Sequence, residues 1–268
     1  MTLTSATAPP VTRRPVAAYV VIAAAWAAAI TAEATGQGHR VHHGEIGGGG
    51  RSLLFSLLLF LAAWQVMIAA MMLPSTLPMY RLFRTTAADN ARSAGSRVAF
   101  LSGYLAVWTV FGLAALAVDA GLHHLTDATP WLHTRPWIVT GSLLLLAGAG
   151  QFLPLTQACL RSCRHPFYYL FQHYRPGVRA ALRLGTSHGL YCVGCCWALM
   201  LVMLATGMAN LLWMALLTSV MTYQKIGRHG DRLAAMLGIA LLCAGTAMLL
   251  AHDVLPGADA TQMHHHHQ

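Results

Sequence analysis

Apolar residues in this chain come in long unbroken runs, with no steady alternation and with few polar positions inside them. Seven runs can be marked, over 16–35, 53–73, 98–118, 136–155, 185–206, 210–223 and 233–251. A helix needs ~20 apolar residues to cross hydrocarbon, whereas barrel strands are shorter and alternate apolar with polar. The pattern therefore predicts an all-α, polytopic helical membrane protein with about seven transmembrane helices. The second run continues through Pro74 and Pro78, which are expected to break or kink its end. Only residues 207–209 part the fifth run from the sixth, which predicts a tight helical hairpin, with one bent helix as the alternative. The first run follows Arg13-Arg14 and has no small-residue cleavage site before Glu33, so it reads as a retained anchor rather than a removed leader.

Composition strengthens this reading. Of 268 residues, 56% are hydrophobic and 9% charged, against roughly 25% charged in a soluble domain. Basic residues then set the orientation, because they favour the cytoplasmic side of short loops. With the N-terminus inside, the inner segments hold Arg13, Arg14, Arg81, Arg84, Arg92, Arg97, Arg161, Arg164, Arg175, Arg179, Arg183, Lys225, Arg228 and Arg232. The outer segments hold only Arg40, Arg51 and Arg135. An odd number of spans then puts the C-terminus outside. The expected organisation is a cytoplasmic tail over 1–14, a transmembrane helical domain over 15–252 and a His-rich tail over 253–268. The expected location is the inner membrane of a bacterial cell, crossed several times.

The net charge of +9 would point to nucleic acid in a soluble protein. Here the arginines flank apolar spans and face anionic headgroups, so the bilayer is the expected partner and nucleic acid is not. Histidines follow the opposite rule. His39, His42, His43, His123, His124, His133, His252 and the 264–267 run fall in outer segments. That distribution fits capture of a cation outside, and equally fits neutral loop filler. The terminal run is assigned no role.

The chemistry lies in the thiols. Five of the six cysteines fall within 38 residues: Cys159, Cys163, Cys192, Cys195 and Cys196. On a helix Cys192 and Cys196 are i and i+4, as are Cys159 and Cys163, so two facing helices could bring their sulfurs together. His188 shares the stripe of Cys192 and Cys195. Met67 and Met71 are four apart on the second run, Met72 shares a face with Met79, and their kinked helix ends on the same side as the cysteines. Four thiolates in a tetrahedron suit zinc, and two or three with a thioether suit copper(I). Copper(I) is the preferred reading, with its ligands drawn from a subset of the five cysteines and with His188 and Met71 behind them. Disulfides are disfavoured because a cytosol keeps thiols reduced. Cys243, alone in the last run, reads as packing. The aromatic and basic stretch 166–175 suits a helix in the headgroup layer. Gly141, Gly148, Gly185, Gly189 and Gly207 suit close helix approach, and 47–50 is a flexible linker.

The succession Met71-Met72-Leu73-Pro74-Ser75, Cys159-Leu160-Arg161-Ser162-Cys163, His188-Gly189-Leu190-Tyr191-Cys192-Val193-Gly194-Cys195-Cys196-Trp197 and Asn210-Leu211-Leu212-Trp213 resembles a bacterial family. It is that of predicted metal-binding integral membrane proteins, domain-of-unknown-function family 2182, over about 52–250. The resemblance implies metal binding and carries no settled activity. The family pattern has Glu-Lys near the end of the sixth helix, where this chain has Gln224-Lys225. No hydrolase triad, phosphate loop or dinucleotide fingerprint is present, so a binding protein is favoured over an enzyme. The rivals are a membrane thiol-disulfide oxidoreductase using Cys192 and Cys195, and an assembly protein whose helices a zinc ion pins. A metallochaperone or membrane-complex partner is left unidentified.

Overall fold

The computed structural model describes residues 16–35, 52–87, 93–206 and 210–254, and among them every regular element is a helix. The 1–14 tail with Arg13 and Arg14, His39, Arg40, His42, His43, the 47–50 linker, Arg51, Arg92, Gly207 and the 264–267 histidines lie outside the described residues. The elements are α1 (Val16–Ala34), α2 (Leu53–Thr86), α3 (Ser93–Ala128), α4 (Pro130–His133), α5 (Pro136–Phe152), α6 (Pro154–Arg164), α7 (Pro166–His173), α8 (Val178–Thr206), α9 (Leu211–Ile226) and α10 (Gly230–Val254).

Five of these, α1, α2, α3, α8 and α10, are long and apolar enough to cross a membrane, and α5 with α6 makes a sixth candidate bent by 62°. The remaining expected span, the sixth run, is α9, whose 16 residues extend only about 24 Å, short of the ~30 Å hydrocarbon core. The count of full-length spans among the described residues is therefore five to six, not seven. Large apolar side chains such as Leu54, Val110, Leu190, Leu212 and Ile239 stand exposed on the outside of the bundle, as lipid-facing residues do. The apolar window of α8 is 56% buried and that of α1 only 6%, so α8 is the central helix and α1 a peripheral one.

Glycine decides how closely α8 is approached. A methyl on Gly103 would stand 2.5 Å from the Leu182 carbonyl, and one on Gly185 would collide with the Phe100 backbone. The two helices thus meet backbone to backbone, in register and running the same way. Gly141 and Gly148 give α5 the same closeness to α10.

Proline and glycine shape the segment between α3 and α8. Pro130, Pro136, Pro154 and Pro166 each open a helix, where their missing N–H is no loss. Gly177, at φ 110°, makes the left-handed turn into α8 that other residues resist. The result folds α6 back against α8. In the following helix α7, Tyr169 and Leu170 are buried while Phe167, Tyr168 and Phe171 stay exposed, a division suited to the headgroup layer. The Cys159/Cys163 pair rides on α6.

Pro74 and Pro78 do not break α2, which runs on through both as one helix. Pro74 cannot donate to the carbonyl of Ala70, and that carbonyl instead accepts from Trp26 Nε1 of α1 at 3.1 Å. A proline in a membrane helix is tolerated when a neighbouring helix supplies the lost donor in this way.

Candidate metal centre

Sulfur atoms from three helices gather where α2, α6 and α9 close around the middle of α8. Cys192, Cys195 and Cys196 lie one helical turn apart or adjacent on α8 and are all buried, with exposures of 1, 2 and 1%. Cys195 Sγ is 3.8 Å from Cys163 Sγ of α6, and Cys196 Sγ is 3.9 Å from Met72 Sδ of α2. Two sulfurs each about 2.3 Å from one ion, at tetrahedral to trigonal angles, would stand about 3.8–4.0 Å apart. Both spacings suit a shared soft ion, yet the sulfurs meet in pairs. Among the described residues, no group of three or more His, Cys, Asp or Glu side chains is arranged to hold a metal.

The reason is visible in the thiol hydrogen bonds. Cys195 and Cys196 both donate back to the Cys192 carbonyl, at 3.1 and 2.8 Å. These i−3 and i−4 bonds hold the two side chains against their own helix. All six cysteines are free thiols.

The third thiol has different company. Lys225, at the C-terminal end of α9 and only 5% exposed, places its ammonium 3.1 Å from Cys192 Sγ and 3.1 Å from Ser75 Oγ. Tyr104 Oη of α3 is 3.3 Å from the same sulfur and accepts from Thr76 Oγ1 at 3.2 Å. A buried ammonium needs a partner of opposite charge or strong acceptors, and a sulfur that becomes a thiolate supplies one. Lys225 is the residue that reasoning from ligand types passed over. Nothing local to the sequence singled it out, because a lysine near a helix end ordinarily reaches out to the interface.

The remaining candidates surround this centre. Cys159 is buried on α6 with its sulfur over Gly194, where an added methyl would sit 2.5 Å away. Gly194 is therefore what lets α6 lie close to α8. His188 is buried and its ring stacks on Tyr104 at 5.9 Å and Phe100 at 6.1 Å, so it supports the Tyr104 phenol that reaches Cys192. Met71 is fully buried in the same core, but the thioether set against a thiol is Met72. Cys243 is exposed on the outer face of α10 and is not a packing residue. Gln224 is buried beside Lys225, with its Nε2 making no hydrogen bond among the described residues. Arg164, one residue beyond Cys163, is anchored at 2.6 Å to Asp231 and bonds the Gly227 carbonyl at 3.2 Å, tying the end of α6 to the α9–α10 turn.

A family model described as PpoB2, copper chaperone, matches residues 61–248, which include every side chain of the cluster just described. The chain belongs to the PpoB2 copper chaperone family. It is a polytopic helical membrane protein of a copper-related family, and the match carries a different family name from the resemblance read in the sequence. Copper is the metal the PpoB2 match supports, and nothing in it supports zinc. No curated protein and no solved structure matches the chain.

Proposed function

We infer that this PpoB2 family member takes copper(I) as cargo in the cluster formed by Cys163, Cys192, Cys195, Cys196 and Met72, and passes it on by ligand exchange. Cys159 and His188 stand as reserve ligands or supports. The observation that carries this reading is the meeting of α6, α8 and α2 sulfurs with the buried Lys225 ammonium. Charge favours copper(I) over a divalent ion. Copper(I) with two thiolates carries one negative charge, which one ammonium balances. Zinc(II) with four thiolates would keep a negative charge after the same pairing, in an interior where an unbalanced charge is costly.

Uptake turns Cys195 and Cys196 away from the Cys192 carbonyl as their protons leave, and the pairs become a shell. The arginines near the cluster side of α2, α6, α8 and α10 mark the cytoplasmic face by the basic-residue rule. On that rule the chain sits in the inner membrane with its N-terminus inside. The half-buried Cys163 is the sulfur nearest an acceptor approaching from that side.

The test is the copper(I) content of the detergent-purified chain. Cys192→Ser with Cys195→Ser should abolish the tightly held equivalent, and unchanged content would defeat the reading. A thiol-disulfide role has one geometric argument in its favour, the 3.8 Å approach of Cys163 to Cys195, a different pair from Cys192 and Cys195. Thiol titration at controlled potential separates the two: copper that protects these thiols supports binding, and reversible pairing with no copper effect supports redox exchange.

A further inference from the structure

Beyond the thiol cluster, on the side away from the arginine-rich helix ends, the bundle holds a partly open cavity of about 150 Å³. Its walls include Met67 of α2, Met200 and Met203 of α8, and the indoles of Trp64 and Trp197. All three methionines are buried, with exposures of 9, 6 and 2%. We propose that this cavity is a second copper(I) site, formed by the thioethers of Met67, Met200 and Met203, from which the ion moves to the thiol cluster. The proposal rests on the cluster being the copper receiver and adds a donor position to it.

Three features give the cavity that chemistry. Thioether sulfur is a soft, neutral ligand that suits copper(I) and disfavours hard divalent ions. The two indole N–H groups are already committed, Trp64 to the Trp108 carbonyl at 2.8 Å and Trp197 to Thr156 Oγ1 at 3.0 Å. Their rings are thus held in place at the cavity wall, and aromatic rings attract a monovalent cation. Position supplies the third feature. Along α8, Cys192, Cys196 and Met200 recur every four residues and Met203 follows three later, so these sulfurs form a ladder of about one turn per step. On α2 the ladder is matched by Met67 and Met72, and Met72 already touches Cys196.

Transfer needs no electron. Copper stays monovalent as its bonds to thioether sulfur break and bonds to cysteine sulfur form. Each thiol that becomes a ligand gives its proton to water, and Lys225 balances the charge left on a two-thiolate complex. Neutral thioethers bind more weakly than thiolates, so the ladder descends towards the cysteines.

Silver(I), a redox-inert stand-in for copper(I), is the probe, titrated into the detergent-purified full chain. The wild type should take two equivalents, and Met67→Leu with Met200→Leu and Met203→Leu should take one, since leucine preserves volume and removes only the sulfur. A chain with all six cysteines changed to serine should keep one equivalent, bound with quenching of tryptophan fluorescence, and should lose it when the three leucines are added. If the leucine triple still takes two equivalents, or a folded cysteine-free chain takes none, the thioether site does not exist. Failure of the thiol reading looks different: the cysteine-free chain would then bind as much silver as the wild type. Should that chain fail to fold, the drop from two equivalents to one in the leucine triple decides alone.

Discussion

Replacing Lys225 with leucine removes the charge at the site without adding a sulfur. The ammonium stands 3.1 Å from Cys192 Sγ. At an effective dielectric of about 20, unit charges at that distance attract by about 5 kcal/mol. Local rearrangement takes up part of this, so the expected loss of copper(I) binding energy is about 3 kcal/mol, or about a hundredfold in Kd. In the metal-free chain the same substitution removes a charge from an apolar interior together with its hydrogen bonds to Ser75 Oγ and Cys192 Sγ, and relief of the buried charge offsets those bonds, which leaves stability unchanged or raised. The assay is a competition titration of copper(I) against a chromogenic chelator, beside thermal unfolding of the metal-free proteins. Lys225→Leu should bind about a hundredfold more weakly at an unaltered or higher Tm, and Lys225→Arg should recover part of the affinity. An unchanged Kd in a folded Lys225→Leu chain would refute the role of the ammonium as the counter-charge of the bound thiolates.

Other outcomes follow from the packing. Gly194→Ala sets a methyl 2.5 Å from Cys159 Sγ, so α6 should move off α8 at a cost of about 1–3 kcal/mol; oxidative cross-linking of Cys163 to Cys195, expected in the wild type, should fall with it. Copper(I) bound beforehand should protect that same pair from cross-linking, as read by non-reducing electrophoresis. Trp26→Phe leaves the Ala70 carbonyl without its donor and should lower stability by about 1–3 kcal/mol, measured by thermal unfolding in detergent, with copper stoichiometry unaltered. Gly185→Ala drives a methyl into the Phe100 backbone and should lower Tm by more than any of these, because neither backbone can yield without parting α3 from α8.

What could be read from the chain and what could not have separate physical causes. Apolar runs mark the part of a helix that hydrocarbon covers, so α2, α3 and α8 were located, but their ends were set too short. Outside the bilayer a helix can carry polar residues, and α3 begins at Ser93 where the apolar run begins only at 98. Pro74 and Pro78 are expected to break or kink the end of α2 because the sequence names the lost donors but not the replacement, which at Ala70 comes from Trp26, 44 residues away. The thiols were conspicuous by number and spacing. Their partners were not, because Met72 rather than Met71 meets Cys196 through a rotation of α2 that spacing alone does not determine. Lys225 reaches Cys192 only because α9 is short enough to end level with the centre of α8, and no local pattern encodes that.

The bond between Trp26 and the Ala70 carbonyl gives the defect at Pro74 a use. Every residue of the thiol cluster comes from α2, α3, α6, α8 or α9, so the chemistry can be assembled before α1 arrives. A helix so little enclosed by its neighbours has few means of finding a particular place on a greasy surface. The main-chain oxygen that Pro74 leaves unclaimed acts as an address for it, telling the first helix where along the second to come to rest.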